Sequence, residues 1–224
     1  MTSNAQFHDR GRADVLAGRL SCETPPVDGG PRWGLSAVFR PTGPVAEELA
    51  ALGREATAVA GPGHWVHGPR AMHTTLRALE PHSTRNMVAD ARVGVYAEAL
   101  AAACRGFAPI ELEFRGIAPH GGGVMAQGIG RPQGFPALRR RYVDELDARG
   151  VAHYEQGFVR DIWYVSLLHF AAPVPDPAAL VRWGDRLRDR PIGTVMYDEA
   201  EIIRWHLIDG AITAQSLFSA KLDG

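Results

Sequence analysis

The order of elements along this chain repeats, and that repetition restricts the folds open to it more than any other feature. Each half reads as a helix, a short strand carrying a polar pair, a second helix and a two-stranded hairpin. In the first half, Val45 to Ala60 is rich in Ala, Glu and Leu after Thr42-Gly43-Pro44 and predicts a helix that breaks at Pro62-Gly63. Ala71 to Leu79 alternates as a strand, and Asn86 to Cys104 is an Ala-rich helix with Ser83 as its N-cap. Ile110 to Ile117 alternates again, and Gly121-Gly122-Gly123 turns it into a second strand, Val124 to Ile129.

The second half follows the same grammar. Phe135 to Ala148 is a basic amphipathic helix closed by Gly150, and Asp161 to Phe170 is a strand. Asp176 followed by Pro177 opens a helix to about Arg188, the favoured cap-then-proline order. Val195 to Leu207 and Ala211 to Leu222 form a hairpin about Asp209-Gly210. Two more strands, Trp33 to Arg40 and His64 to His67, fall in the first half. Residues 1–31 read as an N-terminal tail, with a short helical stretch around Gly11 to Leu20 and then a loop rich in Pro and Gly.

These elements predict an α+β fold with two pseudo-symmetric lobes, each an antiparallel sheet with outer helices, facing across a central groove. The expected domain is a single bilobal unit over 32–224, its first lobe about 32–130 and its second about 131–224. A groove between such lobes is a natural ligand site.

The two polar pairs occupy matching strands. His73 and Thr75, two residues apart, share one strand face, where an imidazole and a hydroxyl can both reach one oxyanion. The equivalent positions in the other half are Tyr164 and Ser166. Arg77 lies on the face of His73 and Thr75, and with Arg40 and Arg160 it is a candidate phosphate ligand, because a guanidinium matches phosphate geometry. Trp65 and Trp163, with Trp33 and Tyr154, are candidates to stack a base.

Other conspicuous residues are assigned more modestly. His169, five residues after Tyr164, faces away from Tyr164 and Ser166 on a regular strand; only a β-bulge would bring it round. His64 and His67 face opposite sides of a short strand with no acidic partner, so they are read as structural and no metal site is expected. His120 beside the triple glycine stays open: three glycines let the backbone approach a ligand, and a hairpin tip explains them equally well. Arg139-Arg140-Arg141 reads as a solvated helix face.

His73-Thr74-Thr75-Leu76 and Tyr164-Val165-Ser166-Leu167, one per half, resemble the two His-x-Thr/Ser-hydrophobic motifs of the 2H phosphoesterase superfamily, which includes the RNA ligase-like 2′,3′-cyclic phosphodiesterases. Trp65 to His73 is similar to that family's Trp-Val-Pro lead into its first motif, and the resemblance extends over Trp33 to Leu222. It implies a phosphodiester hydrolase-like protein acting on a cyclic phosphate, nucleotide or RNA end by metal-free acid/base chemistry without a cofactor. One histidine would act as base and the other as acid, with the hydroxyls on the phosphoryl oxygens. Tyr164 stands where the family has its second histidine, so His73 is the expected base and Tyr164 an acid or a phosphate anchor. Two alternatives stay open: a different acid/base reaction on a non-nucleotide metabolite, or a non-catalytic anion- or nucleotide-binding module.

Composition narrows the setting. A net charge of -1 and a pI near 6.8 argue against a broad duplex nucleic-acid or membrane surface. No apolar run approaches the roughly 20 residues that span a bilayer, and no signal-like N-terminus is visible. With only two cysteines, Cys22 and Cys104, a reduced cytoplasmic location is the expectation, and the oligomeric state is left open.

Overall fold

The computed structural model describes residues 4–23, 34–81, 90–131, 133–155, 157, 160–208 and 211–224. The Ser83 cap, Trp33, the Asp209-Gly210 turn and the loop over 24–31 lie outside the described residues. In chain order the elements are α1 (Asn4–Leu16), β1 (Ser36–Phe39), α2 (Gly43–Ala60), β2 (Trp65–Val66), β3 (Thr74–Ala78), α3 (Asp90–Cys104) and β4 (Ile110–His120). There follow β5 (Gly123–Gly130), α4 (Phe135–Ala148), β6 (Trp163–His169), α5 (Pro177–Arg186), β7 (Pro191–Tyr197), β8 (Glu199–Ile208) and β9 (Ala211–Lys221).

Local pattern explains most of these. In β4, Ile110, Leu112 and Phe114 point inward while Glu111 and Glu113 do not, the period-2 alternation of a strand. In α4, Leu138, Tyr142 and Leu146 recur every four residues and are fully buried. The Asp176 carboxylate accepts from the Ala179 N–H at 2.8 Å and caps α5 as expected, with Pro177 in the first turn.

The strands form two antiparallel sheets, one of four strands in the order β3-β1-β8-β9 and one of five in the order β2-β6-β5-β4-β7. Helices α3 and α4 pack on the four-stranded sheet, and α1, α2 and α5 on the five-stranded one. This is the expected two-lobed α+β architecture, with the motif strands β3 and β6 adjoining between the lobes.

The lobes are not contiguous halves of the chain, however. The hairpin β4-β5 from the first half pairs with β6, and the hairpin β8-β9 from the second half pairs with β1. Alternation fixes which face of a strand is buried but not which distant strand it joins. The expected Val195 to Leu207 strand is likewise two: β7 pairs with β4, and after Asp198 the chain crosses to β8 in the other sheet.

The N-terminal segment also departs from expectation. Instead of a tail, it forms α1, which packs on β4 and α5 with Val15 fully buried. The segment after it is tied to the five-stranded sheet by Ser21 N–H to Gly121 O and Glu23 N–H to Phe170 O, both 2.7 Å.

Both motif strands carry a β-bulge at the same place. Val38 pairs with Thr75 but Ala37 pairs with Arg77, so Leu76 is an extra residue in β3. Met125 pairs with Ser166 but Val124 pairs with Leu168, so Leu167 is the extra residue in β6. Each bulge follows directly on the motif hydroxyl, and each reverses the facing of every residue beyond it.

Candidate active site

The groove between β3 and β6 holds a cavity of about 210 Å³ that gathers His73, Thr75, Tyr164 and Ser166, the four residues proposed from the two motifs. His73 sits just ahead of β3, on a turn closed by the Ala71 N–H bonded to Gly68 O at 2.9 Å. Its Nδ1 lies 2.9 Å from the Ala71 carbonyl. A carbonyl only accepts, so Nδ1 carries the proton and Nε2 presents a lone pair. The Trp205 ring lies 4.7 Å from the imidazole and fixes its plane. Burial pushes the His73 pKa down to about 4; the Ala71 hydrogen bond opposes this, and Arg160 and His169 add to it. The ring is therefore neutral over the physiological range, the form a base requires.

Across the groove the Tyr164 hydroxyl accepts a hydrogen bond from Arg160 Nη1 at 3.2 Å. Arg160 is braced from behind by the Glu155 carboxylate. Burial acts to lower the Arg160 pKa, but Tyr164 and Glu155 outweigh it and hold the guanidinium charged. The far end of the groove is lined by Tyr154, which is 64% exposed, and by Glu80.

Two further imidazoles enter the groove, His67 and His169. Their ring centroids are 5.0 Å apart, and those of His67 and His73 are 6.5 Å apart. Burial, then the nearby His169 and His73, holds the pKa of His67 well below its ordinary value. His169 was expected to face away; the extra residue Leu167 brings it onto the face of Tyr164 and Ser166. His67 was read as structural because no acidic ligand stands near it; it shares the face of Trp65, two residues earlier, with the two rings 4.9 Å apart. Among the described residues, no group of three or more His, Cys, Asp or Glu side chains is arranged to hold a metal ion.

The chain matches TT0787 of Thermus thermophilus with a TM-score of 0.61 at 16% identity, over 86% of this chain and 98% of that one. Escherichia coli LigT in complex with 3′-AMP gives a TM-score of 0.58 at 13% identity, over 87% of this chain and 100% of LigT. A structure described as a phosphoesterase gives 0.56 at 12% identity, over 87% and 100% of the two chains. The fold is LigT-like. The resemblance to the 2H phosphoesterases holds at the level of that fold. No family model and no curated protein sequence matches the chain.

Within the LigT-like framework, the four proposed binding residues lie outside the groove. Arg77 comes after the Leu76 bulge, so Ala78 faces the cavity in its place. The Arg77 guanidinium is buried behind β3 against His153 Nδ1, at 3.0 Å from Nη2, and the Glu155 backbone oxygen. Arg40 forms a two-pronged ion pair with Glu201, at 2.7 and 2.8 Å, in a separate depression beside the start of α2. Trp65 is core, stacked on His169 at 4.5 Å, and so supports the site from behind. Trp163 is also core, with its ring 4.7 Å from Phe135.

The remaining candidates are structural or peripheral. His64 bonds through Nε2 to Ala60 O at 3.2 Å and through Nδ1 to the Ala171 N–H at 3.3 Å. His120 accepts from the Gly122 N–H at 3.1 Å beside Phe7, and burial lowers its pKa to about 4. The Arg139-Arg140-Arg141 run divides: Arg139 pairs with Glu155, Arg141 holds the carbonyls of Ala102 and Arg105, and only Arg140 is a solvated face. Trp205 had no distinguishing signal in the sequence, being one aromatic in a strand of mixed polar and apolar residues.

Proposed function

We propose that the groove binds a phosphodiester, as a cyclic phosphate, nucleotide or RNA end, and cleaves it by acid/base chemistry with His73 as the general base. The observation that carries this reading is the His73 imidazole, its Nδ1 locked to Ala71 O, opening onto the same cavity as Thr75, Tyr164 and Ser166. LigT has been solved with 3′-AMP, with NADP+, with phosphate and with ATP, which supports a nucleotide-sized phosphate ligand here.

In this mechanism His73 Nε2 removes a proton from the attacking water or hydroxyl. Thr75 and Ser166 donate to the phosphoryl oxygens from fixed strands. Tyr164, whose oxygen already accepts from Arg160, directs its own O–H at the phosphoryl group, and the Arg160 charge balances the negative charge that builds there. Tyr164 thus reads as an anchor. Tyr154 flanks the entrance and offers a face on which a base can stack.

The direct test is hydrolysis of 2′,3′-cyclic nucleotides by His73→Ala. Loss of the base should reduce turnover by about 10²- to 10⁴-fold while 3′-AMP still binds. Turnover equal to that of the unaltered protein would sink the assignment.

A further inference from the structure

We infer that His169 is the acid that protonates the leaving oxygen, and that Glu23 from the N-terminal segment positions it; this rests on the phosphodiester reading above. Three independent features converge on the ring. The bulge at Leu167 turns it into the groove on the face of Tyr164 and Ser166. Trp65 stacks against it at 4.5 Å with the planes only 23° apart, which fixes its orientation. The Glu23 carboxylate lies 3.6 Å from Nδ1, within ion-pair reach.

Glu23 is itself held in place. Its N–H bonds to Phe170 O at 2.7 Å, one residue beyond His169, and Ser21 N–H bonds to Gly121 O at 2.7 Å. The packing of α1 on β4 anchors the same segment from its other end. With Nδ1 turned to the Glu23 carboxylate, Nε2 is the nitrogen that serves the groove. An imidazole also suits proton donation near neutral pH better than a phenol, whose ordinary pKa is about 10.

The water oxygen forms a bond to phosphorus while His73 Nε2 takes its proton. The bond from phosphorus to the leaving oxygen breaks, and its electron pair takes the proton from His169 Nε2. A phosphomonoester and an alcohol result, His73 ends protonated and His169 neutral, and solvent exchange restores both.

The test compares two leaving groups. A 2′,3′-cyclic nucleotide expels an alkoxide that needs a proton, whereas a nucleoside 5′-(p-nitrophenyl phosphate) expels a phenolate that does not. His169→Ala, with His169→Gln as the conservative partner should the first fail to fold, should lower kcat on the cyclic substrate by about 10²- to 10⁴-fold and on the p-nitrophenyl ester less than about tenfold. Glu23→Gln should show the same selectivity at about tenfold in kcat with KM unchanged, and Glu23→Asp should restore most of it.

An equal loss on both substrates, or none on either, overturns the acid assignment. So does a leaving-group-dependent loss in Tyr164→Phe instead of the His169 variants. His73→Ala must lower both substrates alike; if it leaves both unchanged, or if the unaltered protein cleaves neither, the underlying phosphodiester reading fails and this assignment falls with it.

Discussion

Glu155→Gln is the substitution whose effect the structure defines most sharply. The carboxylate is 7% exposed and faces three guanidiniums, those of Arg77, Arg139 and Arg160. Its Oε2 accepts from the Ala78 N–H at 3.0 Å and from Arg139 Nη2 at 3.2 Å, while Oε1 meets Arg160. Glutamine preserves the volume but removes the charge that balances this cluster. Burial already pulls the Arg139 pKa down to about 10, yet each guanidinium stays charged at neutral pH. The buried cations are then uncompensated, a situation that typically costs about 3–5 kcal/mol. For a chain of this size, about 2–4 °C of Tm per kcal/mol gives a fall of about 6–20 °C. Urea denaturation with an unchanged m-value, run beside a thermal melt, measures it. The same variant frees Arg160 from its brace and should weaken nucleotide binding. A loss below about 1 kcal/mol would mean that water or rearranged arginines neutralise the cluster, and would refute the view that Glu155 organises it.

Two other expectations concern stability and reactivity. His73 and His120 have pKa values lowered to about 4, and His67 is also lowered, so between the unfolded value of 6.5 and about 4 the unfolded chain binds more protons than the native one. The stability of the neutral rings is complete above pH 6.5 and is lost as pH falls toward 4, on the order of 3 kcal/mol for each of His73 and His120; denaturation midpoints at pH 7.5, 5.5 and 4.5 should decline accordingly, and a flat profile would show that the rings are not desolvated. Cys22 is exposed, whereas Cys104 is buried and its thiol is pushed up to about 12, so a thiol reagent should label one cysteine in the native protein and two after unfolding.

The residues legible in the sequence were those decided by short-range pattern. The His73-x-Thr75 pair at the start of β3 and the Tyr164-x-Ser166 pair within β6 each have the two-residue spacing that strand alternation puts on one face, and all four side chains line one cavity. Beyond each pair the same rule failed, and for a single cause. The extra residues Leu76 and Leu167 reverse the facing, so Arg77 left the groove and His169 entered it. Neither leucine differs in composition from an ordinary core leucine, because a bulge is set by the partner strand's register and not by the bulged residue. The exchange of hairpins between halves was hidden for a related reason, since strand partnership is a tertiary property. The N-terminal helix was underestimated because its polar sequence, with Gly11 at its centre, has weak intrinsic propensity; Gly11 is needed where α1 closes against Pro119 and His120.

The crossed hairpins give the two halves of this chain a mutual dependence. Each half donates its hairpin to the sheet that contains the other half's motif strand, so neither half alone can assemble a complete sheet. The halves are interlocked like clasped hands, and whatever aligns one sheet aligns His73 against Tyr164 and His169 at once. The geometry of the groove and cooperative folding are thereby one property of the molecule: a segment that slips out of register in either half displaces the groove's side chains as it unravels the fold.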